Sequence, residues 1–303
     1  MKIIFDTDPG HDDIMAIFYA LAHPEVFDVL GFVTVAGNNL VEKVTQNLCN
    51  VLSYLNKDLP VVMGASKPLV LEPEPQDAHG DTGLQGPVFT ECHVSPLEVD
   101  YLEWYKEQLE HNDKVTIVAI GPLTNIAQLI IKYPHLVDRI DKICLMGGSR
   151  GLGNISKYGE FNIYADPHGA KVVFESGIPI YMSDLGICDE CRIAHKCFED
   201  LKGKGRVYQL GYDILAFYSI YDKVRGNSSS PVFDLIPVVQ LAHPEWFELQ
   251  ECSVEVIVDG EETRGQTVVK EGNGVYLLKH CFDMSKITET FVEGFELLER
   301  IYG

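Results

Sequence analysis

Short runs of β-branched and aromatic residues alternate with helical patterns through the first two-thirds of this 303-residue chain. That alternation is the signature of a parallel α/β sheet. Strands are expected at Ile3–Phe5, Val29–Val35, Val61–Met63, Val115–Ile120, Lys142–Met146 and Pro179–Met182. Helical patterns lie between them at about 12–22, 40–55, 97–110, 122–133 and 166–176. The strand runs are almost wholly apolar, as in a sheet covered by helices on both faces.

After Asp184 the pattern changes. Helical stretches at about 193–224 and 231–243 precede three short runs, Val254–Val258, Thr263–Lys270 and Val275–Leu278. These read as a small antiparallel β meander before an amphipathic C-terminal helix at 284–301. No linker separates the halves, so residues 1–303 are expected to form a single domain: a Rossmann-like, mostly parallel sheet flanked by helices. The segment Gly64–Pro96 is rich in Pro, Gly and acidic residues, and a loop of that length inside a compact domain is usually functional.

Charge narrows the range of partners. Forty-five Asp and Glu face 24 Lys and Arg, a formal charge of −21. Such a surface repels phosphate backbones and anionic lipid, so neither nucleic acid nor membrane is an expected partner, whereas cations are tolerated. The start Met1–Asp6 carries no apolar targeting segment, and no run approaches the roughly 18 apolar residues of a membrane span. A cytoplasmic location follows as an expectation, with the eight cysteines as reduced thiols.

The chemistry concentrates at Asp6-Thr7-Asp8-Pro9-Gly10-His11-Asp12-Asp13, which follows the first strand and opens a helix. In a parallel sheet this is the carboxyl edge, where ligands bind. A helix's first turn favours Asp12 and Asp13 through its dipole, but that does not account for Asp6 and Asp8. Oxygen ligands at this density suit Ca²⁺ or Mg²⁺ rather than zinc. Further ligands must converge from elsewhere. Gly37-Asn38-Asn39, Ile120-Gly121-Pro122 and Met146-Gly147-Gly148 follow the second, fourth and fifth strand runs, and Glu160-Phe161-Asn162 and Asp234 add polar groups in apolar company.

DTDPGHDD at 6–13, VAGN at 35–38, HGDTG at 79–83, GPLTNIA at 121–127, LMGG at 145–148 and EFNIYADP at 160–167 make the chain resemble the inosine–uridine-preferring nucleoside hydrolases. The resemblance spans nearly the whole sequence. It implies hydrolysis of the N-glycosidic bond of nucleosides to ribose and free base, with a Ca²⁺ that binds the attacking water and two ribose hydroxyls. The implied calcium ligands are Asp8, Asp13, the Ile120 carbonyl and Asp234, with Asp8 also the general base. Asp12, Asn38, Asn154, Glu160 and Asn162 would grip the ribose, Met146 would line the sugar pocket, and His79 and Phe161 would lie near the 5′ side or the base. A homodimer or homotetramer is implied as well. These residue types suit the reaction, because anionic oxygens stabilise the oxocarbenium character that develops at the anomeric carbon.

One position departs from the pattern. Purine-cleaving relatives carry a His immediately before the final calcium Asp, and here that residue is Phe233. A phenyl ring donates no proton, and loss of a general acid typically costs about 10²–10⁴ in rate. Tyr221 and Arg225 lie in the same leaving-group region; Arg can stabilise an anionic base but is no acid at neutral pH. His79, Tyr218 and Tyr221 are the groups able to protonate the base. Base identity is therefore open.

Other features invite smaller readings. Cys188-Asp189-Glu190-Cys191 with His195 and Cys197 has a zinc-like look, but it lacks a second separated pair of ligands and reads as reduced thiols. His11 is expected to bond within its own turn. Two other functions compete. A haloacid-dehalogenase-type phosphotransferase would use Asp6 and Asp8 as nucleophile and acid. A ribose- or nucleoside-binding protein would keep the calcium and sugar contacts without turnover.

Overall fold

A computed structural model describes residues 1–74 and 78–303. Its strands are β1 (Lys2–Thr7), β2 (Asp28–Thr34), β3 (Val61–Met63), β4 (Val115–Ala119), β5 (Ile140–Met146), β6 (Ile180–Ser183), β7 (Arg192–Ala194), β8 (Ser229–Pro231), β9 (Phe247–Val256) and β10 (Thr267–Cys281). The helices are α1 (His11–Ala22), α2 (Val41–Tyr54), α3 (Tyr101–His111), α4 (Thr124–Lys132), α5 (Phe161–Ala165), α6 (Pro167–Phe174), α7 (Leu185–Glu190), α8 (His195–Glu199), α9 (Arg206–Tyr218), α10 (Ile220–Val224), α11 (Leu235–Ala242) and α12 (Met284–Tyr302).

Eight strands form one sheet in the order β3-β2-β1-β4-β5-β6-β10-β9. All neighbours pair parallel except β9, which runs antiparallel to β10 at the edge. The chain moves outward from β1 through β2 to β3 and then returns to lay β4 on the other side of β1. That reversal opens a crevice beyond the carboxyl ends of β1 and β4, the ligand position of open α/β sheets. Apolar clusters fill both faces of the sheet, one around α1, α9, α11 and α12, the other around α3, α4 and α6.

Helix α1 shows how the sequence places the crevice. Every one of its 12 residues is buried, so HDDIMAIFYALA has no solvent face and its apolar residues run all round. Only its first turn is polar. Asp13 accepts the Gly10 N–H at 3.0 Å, which satisfies one of the helix's free amides and holds the acidic turn against β1.

Two expectations change in the second half. The three runs expected as a meander are two strands: Val254–Val256 belongs to β9, while Thr267–Lys270 and Val275–Leu278 both lie in β10. The register between β9 and β10 shifts between Lys270 and Val275, and this interruption made one strand look like two. The hairpin also joins the main sheet through β6 instead of forming a separate unit. The long helical stretch expected at 193–224 is broken into β7, α8, α9 and α10, and β7 pairs with β8 in a small antiparallel ribbon. Asp100 caps α3 by accepting from Leu102 and Glu103, so that helix starts at Tyr101 and not at 97.

Candidate active site

Four loops converge on the crevice. Asp8 comes from the turn between β1 and α1 and Asp13 from the first turn of α1 that follows it, Asn38 from the loop after β2, Ile120 from just after β4, and Asp234 from the residue before α11. Asp8 is fully buried. Its Oδ2 accepts the Asn38 main-chain N–H at 2.7 Å, while its Oδ1 is buried with no hydrogen-bond partner. Two glycines make room for this carboxylate: a Cβ on Gly37 would lie 2.0 Å from Asp8 Oδ2, and one on Gly121 would lie 2.7 Å from Oδ1.

Asp13 is held from several sides. Its Oδ1 accepts the Thr7 hydroxyl at 2.5 Å and the Asp8 N–H at 3.3 Å, and its Oδ2 accepts from Asn38 Nδ2 at 3.2 Å. Carboxylate oxygens of Asp12, Asp13 and Asp234 all fall within 4.8 Å of one another, and all three residues are buried. Among the described residues this is the one group of three or more acidic, His or Cys side chains placed to share a metal ion. Asp234 stands at the head of α11 without bonding that helix's amides, so its oxygens stay available to the cluster.

The electrostatics favour a bound cation. Burial pushes Asp13 up to about 7, a rise to which the Asp12 charge adds, and pushes Asp12 up to about 6. Burial first, then repulsion by Asp13 and Asp12, raises Asp8 well above the ordinary carboxylate range. Asp234 is raised by burial and by Asp12, Asp13 and Asp8. Buried like charges at this density are stable when a cation sits among them. The orphaned Asp8 Oδ1 and the all-oxygen donor set fit a hard divalent ion.

Beside the cluster lies a second polar wall. Glu160 accepts main-chain N–H groups from Asn162 at 2.9 Å, Gly148 at 2.8 Å and Ile163 at 3.2 Å, and burial pushes it up to about 7. Asn162 Nδ2 donates to the carbonyls of Ile120 at 3.2 Å and Met146 at 3.1 Å, tying the ends of β4 and β5 to α5. Met146 is buried. Asn154 is exposed and accepts the Phe161 N–H at 2.9 Å, so it orients the start of α5.

His11 does not bond within its turn. Its ring crosses to the 64–96 segment, with Nδ1 2.9 Å from His79 Nδ1 and Nε2 2.8 Å from the Gln85 carbonyl. Sequence reading missed this pairing, since the partners lie far apart in the chain. Tyr218 donates to the Pro231 carbonyl at 2.9 Å and lies 3.3 Å from Asp12 Oδ2. Phe233 is partly buried against the core. Tyr221 and Arg225 are exposed around α10, with the guanidinium 3.6 Å from the tyrosine ring centre.

Several motif residues turn out to be scaffold. Asp6 accepts from Tyr105 Oη at 2.5 Å and Asn125 Nδ2 at 3.0 Å. Those bonds point it toward α3 and α4, so it is not placed as a phosphotransferase nucleophile beside Asp8. Asp166 accepts from Thr124 at 2.6 Å and from Gly169 at 2.8 Å, capping α6; the Asp-Pro pair at its start was the available signal. The Cys188–Cys197 residues do not gather into a metal site: the Cys188 thiol faces the Phe233 carbonyl at 3.6 Å and His195 bonds Ser230 at 2.9 Å. All eight cysteines are free thiols.

With this geometry in view, the sequence profile of the inosine-uridine preferring nucleoside hydrolases matches residues 3–292. The chain belongs to that family. A pyrimidine-specific ribonucleoside hydrolase RihA of Shewanella baltica (strain OS155) is 40% identical over 273 residues, 88% of this chain and 86% of the relative. The plant nucleoside hydrolase PpNRh1 superposes with a TM-score of 0.90 at 27% identity, covering 97% of this chain and 98% of that one. A purine-preferring ribonucleoside hydrolase from Gardnerella vaginalis superposes with a TM-score of 0.90 at 25% identity, covering 99% and 100%. This nucleoside hydrolase is thus an enzyme of N-glycosidic bond hydrolysis, with one α/β sheet matching those of its structural relatives. Among the described residues no helix is long and apolar enough to cross a membrane.

Proposed function

We propose that the chain is a calcium-dependent nucleoside N-ribohydrolase that releases ribose and a free base, with pyrimidine ribonucleosides as its substrates. The observation that carries the metal is the convergence of Asp12, Asp13 and Asp234 at the crevice, where Asp8, whose Oδ1 is buried without a hydrogen-bond partner, feels the charges of Asp13 and Asp12. Asp8, Asp13, Asp234 and the Ile120 carbonyl would hold the ion. When bound, calcium supplies a Lewis acid that orients the attacking water and makes it more acidic.

The chain's own groups do the rest. Asp8 takes the proton of the attacking water at Oδ1, the oxygen that no chain donor occupies. Asp12, Asn38, Glu160 and Asn162 receive the ribose hydroxyls, with the Glu160 carboxylate held rigid by its three main-chain donors. Their negative charge stabilises the cationic sugar as the bond to the base breaks. Met146 lines the sugar pocket, Asn154 holds Phe161, and His79 and Phe161 lie toward the 5′ side or the base. Phe233 supplies a stacking face and no proton. Tyr221 and Arg225 are the exposed groups able to close on the base from α10. The pyrimidine preference follows the RihA relatives at about 40% identity. The chain is further proposed to act in the cytoplasm as a homodimer or homotetramer.

The test is ribose release from cytidine, uridine, inosine and guanosine, before and after removal of metal with a chelator. Release from the pyrimidine nucleosides that disappears with the chelator and returns with Ca²⁺ supports the reading. Tight nucleoside binding without release in any calcium-loaded sample would instead establish a binding protein.

A further inference from the structure

The turn between β9 and β10 lies against the segment that carries Glu160, Phe161 and Asn162. A Cβ on Gly265, whose φ is +77°, would lie 2.5 Å from Tyr164 Cα, so the turn meets the main chain of α5 directly. Gly159 bridges to Gln266, and a Cβ on Gly159 would lie 2.7 Å from the Arg264 carbonyl oxygen. From this turn Arg264 reaches across α5. Its guanidinium carbon sits 3.6 Å from the centre of the Tyr164 ring, and its Nη2 donates to Glu74 Oε1 at 2.9 Å. Its Nε is buried with no hydrogen-bond partner, so the ring face and the Glu74 carboxylate compensate the charge. The Arg264 side chain is 20% exposed and that of Glu74 53%, so the stack on Tyr164 holds more strongly than the ion pair.

Glu74 lines a cleft together with Pro68, Pro73, Phe161, Gly37 and Asn39, and Gly37 is the glycine packed on Asp8. The stretch 64–74 is tied to the α5 region at two points. The Leu69 N–H donates to Asp166 Oδ2 at 3.0 Å, and Glu74 accepts from Arg264. Glu160 and Asn162 are fixed by hydrogen bonds of their own, to main-chain amides and to the Ile120 and Met146 carbonyls. The hydrocarbon side chain of Phe161 can make no such bond, so the walls of the cleft must place it.

We infer that Arg264 is a positioning residue for Phe161: by joining the β9–β10 turn to Glu74 across Tyr164, it sets the spacing between the stretch 64–74 and α5, and with it the place of the Phe161 ring against the nucleoside. The contact with the nucleoside rests on the proposed function; the placing of the ring does not. A contact used equally in the ground and transition states contributes to KM and leaves kcat alone.

Two measurements test it. Fluorine NMR of protein labelled with 4-fluorophenylalanine, with the Phe161 signal assigned through Phe161→Leu, reads the ring without any turnover. One sharp Phe161 signal is expected in the parent, shifted or broadened in both Arg264→Gln and Glu74→Gln. In kinetics of the calcium-loaded enzyme, Arg264→Gln should raise KM roughly tenfold and Glu74→Gln about threefold, with kcat within about twofold. The double variant should match Arg264→Gln, because one link cannot be broken twice. Arg264→Lys keeps a charge for Glu74 but loses the flat face on Tyr164, and should fall between the parent and Arg264→Gln. In a Phe161→Ala background, Arg264→Gln should change KM by about twofold or less. An unmoved fluorine signal, a fall in kcat as large as the rise in KM, or a full Arg264→Gln effect persisting in Phe161→Ala would overturn the inference. Failure of the parent to release ribose from any nucleoside would instead overturn the functional reading, while the fluorine result would still decide the placing of the ring.

Discussion

Gly37→Ala isolates the geometry of Asp8, the proposed general base. The added Cβ would lie 2.0 Å from Asp8 Oδ2 and 2.8 Å from Pro122 Cδ, whereas real Cβ atoms essentially never approach closer than 3.0 Å. The Asp8 carboxylate must therefore retreat by about 1 Å. Its 2.7 Å bond from the Asn38 N–H would break, and Oδ1 would leave the position beside the Asp13 cluster. Overpacking of this kind costs about 1–3 kcal/mol of stability, which a large domain survives. A displacement of about 1 Å at reacting groups costs on the order of 10² in rate. Ribose release by the calcium-loaded variant should thus fall about a hundredfold, while circular dichroism shows the native fold. Gly151→Ala is the matched control, because its Cβ meets nothing within 4 Å, and it should retain parental kcat/KM. A Gly37→Ala enzyme within threefold of the parent would show that Asp8 is not held where the chemistry requires it.

Four further outcomes follow from the same geometry. Asp8→Asn should abolish turnover yet raise the melting temperature of the metal-free protein at pH 8 in a thermal scan, because it removes one of several buried like charges. The metal-free protein should also lose stability as pH rises from about 4 to about 7: Asp12, Asp13 and Glu160 have folded values of about 6, 7 and 7, above their ordinary 3.8, 3.8 and 4.5, so the stabilisation they give below pH 4 is lost as they ionise. Calcium at a fixed concentration about a hundredfold above its Kd at pH 8 should restore about 2.7 kcal/mol at that pH and less at pH 4, and calorimetry showing the same gain at both would contradict the site's charge balance. Tyr105→Phe removes a donor from the buried Asp6 and should lower stability by about 1–3 kcal/mol in urea titration without changing kcat, because Asp6 is scaffold.

Much of this protein was legible one segment at a time. The six parallel strands follow from apolar β-branched runs, and the crevice-facing turn follows from Pro9-Gly10 and four aspartates at a strand end. Helix α1 was recognisable because its apolar residues have no polar stripe between them. These are local effects: backbone propensity, side-chain period and turn chemistry act over a few residues, so the sequence carries them directly.

Roles that depend on distant partners were not legible in that way. Asp6 and Asp8 stand in the same acidic motif, yet Asp6 bonds to Tyr105 and Asn125 while Asp8 faces Asp13 and Asn38. His11 looked like part of its own turn until the 79–85 loop brought His79 and Gln85 to its two ring nitrogens. The β9–β10 edge looked like three strands because an interrupted register has no period to reveal it. Sequence alone thus determined most elements of the first two-thirds and where acid is stored. Tertiary structure decided which acids share one space, since that depends on sheet order and helix packing that join segments remote in the chain.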